Sequence, residues 1–440
     1  MNLAPGADPR NMFRTLRYGN FRLFFAGQGI SLIGTWMQYV AMGWLVYRLT
    51  NSPFLLGVVG FASQIPTFIF SPFAGVFADR WNRHRTLIIT QTLAMAQAFI
   101  LAALTLTGTV EVWHVVVLGA FLGCVNAMDI PVRQSFLFEM VERKDNLANA
   151  IALNALMFNS ARLVGPSFAG VVVVVFGEGV CFLINALSFL AVIASLLAMR
   201  IKAKEIRSEK VHVVAGLKEG LSYAFGFLPI RMILSLLGII SLMGMSYVVL
   251  MPVFARDILG GGPETLGFLV ASTGVGALIA TLYLASRKTV IGMGRLIPSS
   301  AALFAAGLIL FSLSRVLWLS ACLLAVTGFG MMVNMAASNT ILQTIADDDK
   351  RGRVMSFYTV AFMGMAPIGS LAAGALASRI GVTNTLVAGG AICFLAAFIF
   401  ALKLPLLRKA IHPIYRKIGI MPEVASGMNT AAELVVPPEE

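Results

Sequence analysis

Charged side chains are scarce in this 440-residue chain, where Asp, Glu, Lys and Arg together make up 12% of the residues. A soluble domain carries about a quarter. The composition therefore excludes an ordinary water-soluble globule, and a 58% hydrophobic content places the chain in the membrane class. Cysteine is sparse as well. Cys124, Cys181, Cys322 and Cys393 all fall inside apolar runs without metal-ligand spacing, which argues against a disulfide framework or a metal site and for ordinary buried thiols. The sequence has no glycine-rich phosphate loop, so direct ATP coupling is not expected. It also lacks a hydrophilic stretch long enough to form a domain and a nucleophile constellation outside the apolar runs. An enzyme reading has no support, and no cofactor is expected.

What the chain has instead is a succession of apolar runs, each long enough to cross a hydrocarbon core of roughly 30 Å. Twelve spans are predicted, at 21–47, 54–78, 86–108, 112–138, 147–176, 179–199, 230–255, 264–286, 294–313, 316–345, 353–379 and 382–404. The polar N-terminus (MNLAPGADPR) and the length of the first run are not those of a cleaved signal peptide.

The net charge of +13 could signal nucleic acid, but its placement points elsewhere. With twelve spans, 27 of the 33 Lys and Arg fall on the side of the termini, in clusters such as Arg80/Arg83/Arg85, Arg143/Lys144 and Arg200 to Lys218. The opposite loops hold only Arg48, Arg256, Arg315 and Arg379. Basic loops stay cytoplasmic. The expectation is therefore an inner-membrane protein with both termini inside and no nucleic-acid partner.

The longest interior hydrophilic stretch, IKAKEIRSEKVHVVAGLKEG at 201–220, splits the chain six spans from six. The halves echo each other. ISLIG at 30–34 returns as ISLMG at 240–244, and SPFLLG at 52–57 returns as GPETLG at 262–267, both displaced by 210 residues. An even number of spans per half gives copies of the same orientation, related by an axis along the membrane normal. The expected units are an N-terminal bundle at 1–200, a cytoplasmic linker at 201–222, a C-terminal bundle at 223–406 and a tail at 407–440. Past Pro405 the tail is expected to lie on the surface and then lose order.

Between the second and third spans the chain reads Gly75-x-x-x-Asp79-Arg80-x-Asn82-Arg83-His84-Arg85. Together with the twelve spans and the 6+6 repeat, this stretch resembles the loop motif of the major facilitator superfamily. The resemblance implies an all-α membrane fold of two pseudo-symmetric six-helix bundles. It also implies a conformational latch of Gly75, Asp79, Arg80, Arg83 and Arg85, with Asp79 meeting the start of the eleventh span near Gly352–Arg353. Loop charges alone would explain the arginines but not Asp79. The family usually has Gly at the Asn82 position, and Asn also tolerates a left-handed turn. In the fifth span ARLVGPSFAG resembles the antiporter motif of drug exporters, which makes Gly165, Pro166 and Gly170 a helix hinge, with Ala169 standing where a Gly pair is usual. The eleventh span has a similar pattern at Gly364, Pro367, Gly369 and Gly374. The basic residue of proton-coupled members is not evident near Gly119.

Candidate site residues come from polar positions inside spans, which face protein or a cavity rather than lipid. Gln28, Ser31, Thr35 and Gln38 share one face of the first helix, as a cavity lining or as interhelical hydrogen-bond glue. Asn126, Asp129 and Arg133 follow the same spacing in the fourth span, and Asn154, Phe158 and Arg162 in the fifth. Asp129 and Arg162 fall at similar depth, so they are expected to pair or to face one cavity, either for coupling or as a structural ion pair. Arg133 is expected to join Glu139 or Glu142. In the second half Tyr247, Asn334, Ser338 and Tyr358 are the candidates, among abundant Phe and Met that suit a pliable apolar site.

The texture of the chain resembles the branch that includes enterobactin and macrolide exporters. The implied activity is secondary active export of an amphipathic small molecule, a drug or siderophore, by alternating access. Proton antiport is the implied driving force, with Asp129 the carrier candidate. The expected partners are the substrate, protons and membrane lipids, and the expected state is a monomer. A lipid flippase of the same fold, or a non-transporting receptor or scaffold, are the alternatives.

Overall fold

The computed structural model describes residues 14–78, 81–140, 146–199, 223–287, 292–347 and 350–417, without the side chains at 71–78, 138–139, 147–148 and 416–417. Among the described residues twelve long helices alternate in direction: α1 Gly19–Thr50, α2 Pro53–Ala78, α3 Arg83–Leu106, α4 Val112–Met140, α5 Leu147–Phe176 and α6 Glu178–Ala198, then α7 Leu228–Ile258, α8 Pro263–Ala285, α9 Met293–Leu313, α10 Leu317–Ile345, α11 Arg351–Ile380 and α12 Val382–Lys417. Every expected span is present, with ends shifted by only a few residues except at the C-terminus. Eleven of the twelve are long and apolar enough to cross a membrane. The exception, α1, carries Gln28, Ser31, Thr35 and Gln38 within its 32 residues, and this polar load lowers its apolar character.

The halves repeat in their packing. α1 packs on α6, α2 on α4 and α3 on α6; α7 packs on α12, α8 on α10 and α9 on α12. The connections repeat too. Gly177 alone joins α5 to α6 with φ 83°, and Gly381 alone joins α11 to α12 with φ 84°, a left-handed geometry that a side chain would strain. Pro53 and Pro263 each open a helix after a left-handed cap, at Asn51 and Gly260, because proline lacks only a donor that the first turn leaves unused. The halves differ in one respect. α7 contains π-helical turns at Ile240–Gly244 and Phe254–Ile258, and α11 contains one at Val360–Gly364, whereas α1 and α5 are regular. The Ser241 hydroxyl donates to the Phe362 carbonyl, which joins two of these turns.

Between halves, α5 lies along α8 and α11 lies along α2. Both seams are tightest near the face opposite the termini. A Cβ added at Gly374 would fall 2.9 Å from Gly57 Cα, and one added at Gly267 would fall 3.0 Å from Gly170 Cα and closer still to the Pro166 carbonyl. Small residues permit such backbone approach where lipid supplies no hydrophobic drive.

The segment expected to lie on the surface past Pro405 starts as a continuation of the last helix. α12 continues through Pro405 and Pro413 to Lys417, with Leu407 and Tyr415 buried against the C-terminal core. Packing on that side outweighs the hydrogen bond that each proline removes. The linker at 201–222 and the end of the tail lie outside the described residues.

Candidate substrate site between the halves

An aromatic cluster with one arginine occupies the junction of α1 and α5, against α8. Trp36 packs edge-on to Tyr39 at 5.8 Å and to Phe158 of α5 at 5.9 Å. The Arg162 guanidinium lies over Trp36, its Cζ 5.6 Å from the ring centroid. Gly165, one turn further along α5, makes this possible: a Cβ there would lie 2.5 Å from Trp36 Cβ and 2.8 Å from the Ile33 carbonyl. Tyr39 and Phe158 are 36% and 47% exposed although both are mid-span, whereas Tyr247 of α7 is buried against Phe304. Phe158 and Arg162 of the expected set therefore come together. Trp36 and Tyr39 were missed, and their only signal is a position beside the polar stripe of α1.

That stripe divides. Gln38 is buried, donating to Gln97 of α3 at 3.1 Å and accepting from Asn185 of α6 at 2.8 Å. It joins three helices within one half and does not line the site. Gln28 and Ser31 are buried, and exposed Thr35 donates to the Ser31 carbonyl at 2.9 Å. Asn126 and Asn154 are partly buried on α4 and α5.

The expected Asp129–Arg162 pair is replaced by a closer one. Arg133 Nη2 sits 2.8 Å from the Asp129 carboxylate, one helical turn away on α4. Thr90 and Gln91 of α3 donate to the other carboxylate oxygen at 2.8 and 2.7 Å. A same-helix partner four residues on needs no change of azimuth, so Arg133 takes the position expected for Arg162. Among the described residues no carboxylate pairs with Arg162.

In the second half, Asn334 donates to the Ile297 carbonyl at 2.9 Å and Tyr358 to the Met335 carbonyl at 3.3 Å. Both bonds lie within that half. The Asn334 Oδ1 and Ser338 Oγ atoms are buried without a partner.

The face opposite the termini carries its own polar contacts between halves. The Tyr47 hydroxyl donates to Asp257, and Arg256 donates to Asn51 at 2.7 Å. Nearby, Arg48 pairs with Glu178 at 2.7 Å. At the other face Asp79 and Arg80 lie outside the described residues, as do the surroundings of Gly75. Arg83 and Arg85 open α3, where Asn82 accepts from the Arg85 N–H at 3.0 Å as an N-cap with extended backbone. The family glycine is thus replaced by a capping side chain, and not by a left-handed turn.

A helical bundle of two repeated halves has the architecture of a two-lobed membrane transporter. The chain belongs to the transmembrane secretion effector family of the major facilitator superfamily, whose family model matches residues 11–431. It is 27% identical to the staphyloferrin A transporter of Staphylococcus aureus over 86% of this chain and 95% of that one. It is 24% identical to the multidrug efflux pump Tap of Mycolicibacterium fortuitum over 82% and 88%, and 22% identical to macrolide efflux protein A of Streptococcus pyogenes over 87% and 96%. Among solved structures, it resembles a bacterial homologue of the human lysosomal transporter Spinster in an inward-facing, occupied conformation, with a TM-score of 0.66 at 13% identity over 92% and 99%. The nucleoside transporter NupG gives a TM-score of 0.65 at 14% identity over 89% and 99%.

Proposed function

We propose that this chain exports an amphipathic small molecule, a drug or siderophore, across the inner membrane by alternating access. The observation that carries this reading is the Trp36–Tyr39–Phe158–Arg162 cluster, which is walled on one side by α8 of the other half, where a Cβ at Gly274 would lie 3.3 Å from the Arg162 carbonyl. Rocking one half against the other would take that wall away and open the site to alternate faces. The glycine seams and the Tyr47–Asp257 and Arg256–Asn51 contacts close the face opposite the termini. With the basic loops inside, that closed face is the outer one. The proposed latch at the other face is Gly75, Asp79, Arg80, Arg83 and Arg85, while Pro166 and Gly170 lie on the α5–α8 seam and Gly165 packs on α1.

The proposed driving force is proton antiport. Asp129 is the carrier candidate, and its protonation would release Arg133 and free the α3–α4 contact to rearrange. The test is a pH-sensitive dye in energised everted vesicles, with drugs and siderophores added to wild type and to Asp129→Asn. A substrate-dependent pH change in wild type that the variant loses supports proton-coupled export through Asp129. A change that survives the substitution removes Asp129 from coupling.

A further inference from the structure

Two arginines lie within the spans of the first half, and their surroundings differ. Arg133 is met by Asp129 at 2.8 Å. Arg162 has no carboxylate partner among the described residues, and its Nε is buried without a hydrogen-bond acceptor. An isolated charge at this depth is unfavourable, and the Trp36 face offsets only part of that. Gly274 of α8 backs the arrangement, since a Cβ there would lie 3.1 Å from Leu163 Cα and 3.3 Å from the Arg162 carbonyl. The Arg162 backbone is thereby held against the other half.

A buried guanidinium without a carboxylate partner is the complement of an oxyanion. A guanidinium presents a planar fork that matches a carboxylate in two parallel hydrogen bonds. We infer that the transported molecule carries a carboxylate, bound by Arg162, while Trp36, Tyr39 and Phe158 hold its apolar body. This rests on reading the cluster as the transport site. The exposed rings of Tyr39 and Phe158 flank the charged group on the α1 and α5 side, so the ligand is an amphiphile with a compact anionic end.

The test uses a pair of probes that differ in charge and little else, dansyl-phenylalanine and its amide. Binding is followed by probe fluorescence with the full chain in phosphatidylcholine nanodiscs. The acid should bind about tenfold or more tightly than the amide, as expected when a charged hydrogen-bond partner is lost. Arg162→Gln should bring the two probes to equal affinity by weakening the acid alone, and Arg162→Lys should keep part of the preference. Retained amide binding shows that the variant still forms the apolar part of the site. Equal binding of the two probes to wild type overturns the inference, and so does a preference that survives Arg162→Gln. In nanodiscs containing phosphatidylglycerol, loss of acid binding would assign the anion to a lipid headgroup and overturn the carboxylate assignment. Flux of both probes in everted vesicles separates the two levels. Export of the amide in preference to the acid overturns the anion assignment and leaves the exporter standing. Export of neither removes the transport site on which the inference rests.

Discussion

Gly170 and Gly267 face each other across α5 and α8, just as Gly374 and Gly57 do across α11 and α2. Gly57 and Gly267 are the final residues of the repeated segments at 52–57 and 262–267. The duplication has therefore placed one close-approach glycine in each half at the same point, and each meets a glycine of the other half. The two seams are copies of one contact, both near the face opposite the termini. They bring the backbones of the two halves together without side chains between them.

Filling one seam should therefore force it apart. Gly267→Leu would drive a side chain into the Pro166 carbonyl and the Gly170 backbone, overpacking that typically destabilises by about 1–3 kcal/mol. The expected outcome is a lower thermal midpoint for the purified protein and loss of flux, with Gly267→Ala milder on both counts. A thermal midpoint and flux unchanged in Gly267→Leu would show that the seam has slack.

The Asp129–Arg133 pair should behave as a unit. Removing one member leaves the other without its counter-charge, so Asp129→Asn and Arg133→Met should each destabilise the protein. The double variant should lose less than the sum, by about 0.5–3 kcal/mol. Thermal unfolding of the four proteins measures this coupling. Additive effects would mean that the 2.8 Å contact carries no energy.

Gln38 gives the opposite expectation for function. It bridges Gln97 and Asn185 inside one half, so Gln38→Leu should strand two buried polar groups, at about 1–3 kcal/mol each. The thermal midpoint should fall while the order of substrate preference stays that of wild type. A changed preference at wild-type stability would return Gln38 to the lining of the site.

The helices and the repeat were legible because span length and hydropathy are one-dimensional quantities, and the structure keeps the expected ends of α5 and α9 within one residue. The site was less so. Periodicity gives the face of a helix but not the neighbour that face meets, which is why Gln38 and Thr35, seven and four residues along the same stripe from Ser31, end in different surroundings. Depth places Asp129 and Arg162 at one level but leaves azimuth open, and the i+4 neighbour Arg133 was nearer. Trp36 and Tyr39 were passed over because aromatic residues mid-span are ordinarily lipid-facing material. Only the proximity of Arg162 sets these two apart. Asn82 was read as a turn residue because its capping role depends on where α3 begins.

The most direct test of alternating access is to tie the halves together at the face opposite the termini. Asn51 and Arg256 touch there at 2.7 Å from opposite halves. Asn51→Cys/Arg256→Cys, in a background with the exposed Cys124 and Cys322 changed to Ser, can be bridged by a short, reducible bis-methanethiosulfonate reagent. Flux of dansyl-phenylalanine and its amide into energised everted vesicles is then measured before bridging, after bridging and after dithiothreitol. The account predicts flux that stops when the bridge forms and returns on reduction, with probe binding from the side of the termini retained throughout. Flux that continues through the bridged protein would contradict it.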